Sequence, residues 1–121
     1  MSGVYYVGVP DPEVEGGQVG EVWRHDGKRQ TKLPPRLDLR NSSPTGFAWG
    51  YLGSGPVQLS IALLADALGD DAKAMQHYHM LKVWIVARLS GRWEITADRI
   101  QEFVRNVEAK HGEDVGLVQG P

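Results

Sequence analysis

The stretch from Ser43 to Leu68, SPTGFAWGYLGSGPVQLSIALLADAL, limits what this chain can become more than any other. From Val57 to Leu68 the only polar side chains are Gln58, Ser60 and Asp66. Leu59, Ile61, Leu63, Leu64 and Leu68 surround most of a helical cylinder. A helix that is apolar nearly all round is covered by neighbours on several sides. It is too short to span a bilayer, which takes about 20 apolar residues. The rest of the chain is therefore expected to wrap it as the central core helix of a soluble domain. Pro56 suits its first turn, where a missing N–H costs nothing. Gly69 suits a left-handed stop. Asp66 reads as the one wet position on the cylinder rather than a buried acid.

The first half of the stretch is a loop. Phe47, Trp49 and Tyr51 alternate with Ala48, Gly50 and Leu52, an extended pattern, and Gly53-Ser54-Gly55 then leads into Pro56. Two readings compete. In the first, the glycines make a tight turn, Ser54 is the N-cap, and the aromatic residues cover the core. In the second, the backbone N–H groups of Gly53, Ser54 and Gly55 hold the phosphate of a small nucleotide-like ligand at the positive end of the helix. Arg36 or Arg40 would then neutralise the charge, and Trp49 or Tyr51 would stack on the base. The first is preferred, because no Lys-Ser/Thr follows the glycines as a P-loop requires.

The run from Asn41 to Leu59, with SPTGF, WGY and GSGPVQL, resembles a small domain family of unknown function, DUF6166. The similarity spans about Leu37 to Leu89 and continues through Tyr78, Leu81-Lys82 and Trp93. The resemblance implies kinship with bacterial, plasmid and phage proteins, and no activity. Relatives often carry an acidic residue before the Trp; here Ala48 stands there, so a catalytic role at that position would be absent.

The preceding segments supply a sheet. Val4–Val9 is apolar on both faces, the mark of an interior strand. Val19–His25 reads as a second strand, Asp26-Gly27 as a two-residue hairpin signal, and Lys28–Leu33 as a third strand ended by Pro34-Pro35. After the core helix, Asp70 or Asp71 caps a second helix over about Ala72–Leu89. Ala74, Tyr78, Leu81, Ile85 and Leu89 form one apolar stripe, and His77, Met80, Trp84 and Ala87 a second beside it. Both are expected to pack on the sheet and the core helix. Trp93 and Ile95 make a short extended piece. Thr96 caps a third helix, about Ala97–Lys110, with Ile100, Phe103, Val104 and Val107 inward. His111-Gly112 is expected to stop it and leave 113–121 as a flexible tail.

Charge is uneven. Met1–Gly20 has Asp11, Glu13 and Glu15 and no basic residue, whereas Glu21–Arg40 has six Lys and Arg against three acids. The basic segment reads as a solvated hairpin, with an anion held against the glycine loop as the alternative. The net charge of −2 gives no general attraction to nucleic acid, which is not an expected partner. There is no cysteine, so neither disulfides nor thiolate metal sites are possible. His77 and His79 lie about 200° apart on a helix and cannot share an ion; no metal and no cofactor is expected. Ser54 is the best-placed hydroxyl nucleophile, but Gly53-Ser54-Gly55 is not the G-x-S-x-G elbow. The N-terminus shows no signal-peptide pattern, which suits a cytoplasmic protein.

The sequence thus predicts one α+β domain over 1–112: an N-terminal antiparallel sheet of about three strands on three helices. The expected function is a non-enzymatic binding module that contacts a protein partner, as a phage- or mobile-element-encoded accessory protein. A binder of a small phosphorylated ligand at Gly53–Gly55 comes second, and a hydrolase using Ser54 third.

Overall fold

The computed structural model describes the backbone of residues 3–119 and the side chains of residues 3–110. It is an α+β fold. Strand β1 (Tyr5–Pro10) lies between β2 (Val19–His25) and β5 (Trp93–Thr96), antiparallel to both. The far edge of β2 is shared: β3 (Gln30–Lys32) pairs with Trp23–His25, and β4 (Phe47–Ala48) with Val19–Gly20. The sheet has five strands rather than about three. The two additions are β4, cut from the aromatic loop, and β5, the extended piece at Trp93.

The β2–β3 turn centres one residue later than the Asp26-Gly27 signal placed it. Asp26 Oδ1 accepts from the backbone N–H of both Lys28 and Arg29, at 3.1 and 2.8 Å. The turn therefore closes around Gly27-Lys28, with Gly27 at φ 90°. An Asp that bonds its own following backbone outcompetes the simpler turn.

Helix α1 (Ser54–Leu68) sits in the middle and packs against β4, α2 (Asp71–Trp84) and α3 (Ala97–Gln119). Leu59, Ile61, Leu63 and Leu64 have no exposed surface, as an all-round apolar helix requires. Its three polar residues beyond the first turn are each bonded. Gln58 Oε1 accepts from Ser42 N and Ser43 N, and its Nε2 donates to the Pro35 carbonyl, which fastens the 35–43 loop. Ser60 Oγ donates to the Pro56 carbonyl. Asp66 is not simply wet. Its Oδ2 accepts from Tyr6 Oη at 2.6 Å and Arg24 Nε at 2.8 Å, so it bolts α1 to the two central strands. Burial, then the Asp66 bond, pushes the Tyr6 phenol well above its usual range.

Helix α2 ends at Trp84, short of Leu89, where Ile85 leaves helical dihedrals and a 3-10 turn covers Val86–Arg88. Asp70 is its cap, and Asp71 pairs with Arg36 instead. Thr96 Oγ1 caps α3 through Arg99 N–H. The backbone of α3 runs helical to Gln119, past the expected stop at His111-Gly112. For the expected tail, 113–121, no side chain is among those described, and its last two residues lie outside the described chain.

Gly8 on β1 admits no side chain, because an added Cβ would fall inside the Trp93 indole. That indole is buried, meets Trp49 edge to face at 5.5 Å, and its Nε1 has no acceptor among the described residues. A core ring with no free side to move into resists overpacking. Gly8→Ala is expected to cost about 2–3 kcal/mol, measured by urea unfolding.

Candidate functional site: the helix 1 entrance and the groove between helices 2 and 3

The glycine loop is built as a packing joint. Gly53, not Ser54, is the N-cap of α1, extended at φ −172°, with no side-chain cap bond. Ser54 is the first helical residue and is exposed. An added Cβ on Gly55 would lie 2.5 Å from Ala48 Cβ and 3.2 Å from Ala48 N, so Gly55 lets α1 press directly onto β4. Gly53 lies under the Tyr51 ring, whose edge would be 2.6 Å from an added Cβ.

The other candidate ligand residues are dispersed. Trp49 is fully buried, and its Nε1 donates to the Gly17 and Gly91 carbonyls at 3.0 and 3.1 Å, tying the β1–β2 loop to the turn before β5. It has no open face for a base. Tyr51 is exposed. Arg36 makes bidentate contacts to Asp71 at the start of α2 and to Asp38. The Arg36 backbone sits at φ 57°, and its guanidinium holds both carboxylates below their usual range. Arg40 donates to Ser42 Oγ and Tyr78 Oη. Within the basic segment Arg24 serves Asp66, and Lys32 pairs with Glu21 at the surface.

The more open feature lies across the molecule. Helices α2 and α3 each lean on α1 more than on each other. A groove of about 590 Å³ opens between them, lined by Gln76, His77, Met80, Trp84, Val107, Glu108 and Lys110. Only Ala74, His77 and Leu81 of α2 are fully buried; Met80 is 38% and Trp84 52% exposed. The expected second stripe is therefore corrected. Because α1 separates α2 from the sheet, α2 has one face to bury, and Met80 and Trp84 fall outside it. Arg88 stacks over the Trp84 ring at 5.0 Å.

The groove is held by one polar clasp. His77 Nε2 meets Glu108 Oε2 at 3.1 Å, and Lys73 Nζ lies 3.4 Å from the same oxygen. The His77 bond, then Lys73, holds the Glu108 carboxyl below its usual value. A carboxylate held low stabilises the fold above its unfolded pKa, about 4.3, and that stability is lost as pH falls through the folded value. Glu108→Gln is therefore expected to lose less melting temperature than the wild type between pH 5 and pH 3, as read by circular dichroism.

Sequence reasoning placed Met80 and Trp84 in the core and missed this groove. A usable signal was present: from Ala72 to Trp93 the chain has no Asp or Glu, yet carries Lys73, Lys82, Arg88 and Arg92. A second hollow, lined by Tyr5, Glu94, Ile95, Thr96 and Arg99, runs beside β5. The Tyr5 ring there is already stacked on His25 at 4.7 Å. Among the described residues no group of three or more His, Cys, Asp or Glu could hold a metal ion, and no helix is long and apolar enough to cross a membrane.

The model of a family of unknown function (DUF6166) matches residues 14–106. The match is wider than the stretch from Leu37 to Leu89 that carries the visible resemblance. It takes in β2 to β5, α1, α2 and the first part of α3, and leaves out β1, Glu108 and Lys110. No curated protein and no solved structure matches.

Proposed function

The chain belongs to the DUF6166 family, a family of unknown function, and we propose that it is a non-enzymatic binding module that contacts a protein partner through the groove between α2 and α3. One observation carries this: Trp84 is half exposed beside Met80, one helical turn apart, over a concave floor. Exposed Trp and Met at a pocket are the usual anchors of protein interfaces. A cytoplasmic setting and an accessory role in a bacterium, plasmid or phage belong to the same proposal.

The other two functions gain no support. For a phosphorylated ligand, Trp49 is closed off, Arg36 and Arg40 are engaged elsewhere, and Gly55 is filled by Ala48. For a hydrolase, Ser54 has no hydrogen bond to a base among the described residues.

Co-purification from host extract tests the proposal. The double variant Met80→Ala/Trp84→Ala is expected to lose the bound partner at least ~30-fold, the effect of removing about 2 kcal/mol of anchor energy. Ser54→Ala/Arg40→Ala is expected to keep it. The reverse pattern would move the site to the glycine loop. A ligand bound there at 100-fold its dissociation constant would also raise stability by about 2.7 kcal/mol, so a thermal screen of nucleotides and phosphate gives a second check.

A further inference from the structure

The charge around the groove narrows the partner's chemistry, on the premise that the groove is the docking surface. We infer that it takes an acidic segment of a partner protein, with two apolar side chains spaced to enter beside Met80, Trp84 and Val107. Among the described residues the groove lining holds one carboxylate, Glu108, and that is already bonded to His77 and Lys73. Lys73 offsets that charge, which leaves Lys110 at the rim and Arg88 over Trp84. Neither Lys110 nor Arg88 has a carboxylate partner among the described residues. On the α2 side, Ala72–Trp93 carries no acid to offset Arg88.

A cationic rim around apolar anchors attracts a segment of opposite charge and repels a basic one. A nucleic acid strand also carries negative charge, but it fits less well. Arg88 already covers one face of the Trp84 ring, the other anchors are aliphatic, and Glu108 faces the groove. Stacking needs open ring faces.

The probe is a phage-displayed library of random 16-residue segments, panned on the whole chain, each enriched sequence then being tested for binding to Met80→Ala/Trp84→Ala. Enriched sequences are expected to carry two apolar residues three or four apart and more Asp and Glu than Lys and Arg. A synthetic peptide of that sequence is expected to lose at least tenfold in affinity on Arg88→Glu/Lys110→Glu. It should lose less than twofold on Lys28→Glu/Arg29→Glu, a charge reversal at the exposed β2–β3 turn. All variants are first checked for unchanged melting. Enriched neutral or basic sequences that still need Trp84 overturn the acidic partner and leave the groove intact. Enriched sequences that bind the Met80/Trp84 variant equally well overturn the groove itself. Quenching of Trp84 by an oligo-dT strand, with no acidic peptide selected, overturns the inference in favour of nucleic acid.

Discussion

Asp66→Ala is expected to destabilise the domain by about 3 kcal/mol. The Tyr6 hydroxyl is fully buried and Asp66 is its acceptor, so truncation leaves an orphan donor worth about 1–3 kcal/mol. The charged bond from Arg24 is lost as well, at about 1.5–3 kcal/mol. The two do not add in full, because the Arg24 and Asp66 side chains keep 29% and 21% exposure and water partly replaces the bond. A loss of this size takes roughly 10 °C from the melting temperature of a domain this long. Asp66→Asn keeps an acceptor and should lose about half as much. Equal loss in Tyr6→Phe and Asp66→Ala would point to the phenol alone; no loss in Asp66→Ala would remove the bolt from the account.

The second large effect is at Gly55. Gly55→Ala is expected to cost about 2 kcal/mol, measured by urea unfolding. The new methyl would overlap Ala48 Cβ at 2.5 Å and force α1 off β4. Overpacking of this kind costs about 1–3 kcal/mol, partly offset by the better helix propensity of Ala, up to ~1 kcal/mol. Ala48→Gly in the same chain should recover most of the loss, since it removes the atom that is struck. Gly53→Ala is expected to change stability by less than about 1 kcal/mol. Gly53 is extended, and the exposed Tyr51 ring can swing away. A phosphate cradle would give another pattern, with both glycines and Ser54 affecting ligand binding and little rescue from Ala48.

Much of the architecture is legible in the residues. The all-round apolar run could only be a central helix, and the strand at Val19–His25, the cap at Asp70 (one of the two offered) and the cap at Thr96 fell where local chemistry puts them. What was not legible depends on contacts distant in sequence. Asp66 looked wet because nothing nearby says that Tyr6 and Arg24 face it from paired positions on β1 and β2. Ser54 looked like a cap, but Gly53 takes that place because α1 must start close against Ala48. Trp84 looked like core because apolar spacing on a helix does not tell how many neighbours it has. With α1 between it and the sheet, α2 buries one narrow face, and Met80 and Trp84 of the second stripe become surface while His77 stays buried. The candidate site therefore moved from the most distinctive stretch of sequence to a helix whose charge bias was readable and whose geometry was not.

The most direct measurement is site-specific photo-crosslinking in the host cell, with p-benzoylphenylalanine placed at Trp84 in one chain and at Ser54 in another. The account predicts a discrete protein adduct from position 84 that disappears when Met80→Ala is added, and no adduct from position 54. An adduct from position 54 with none from position 84 would contradict it.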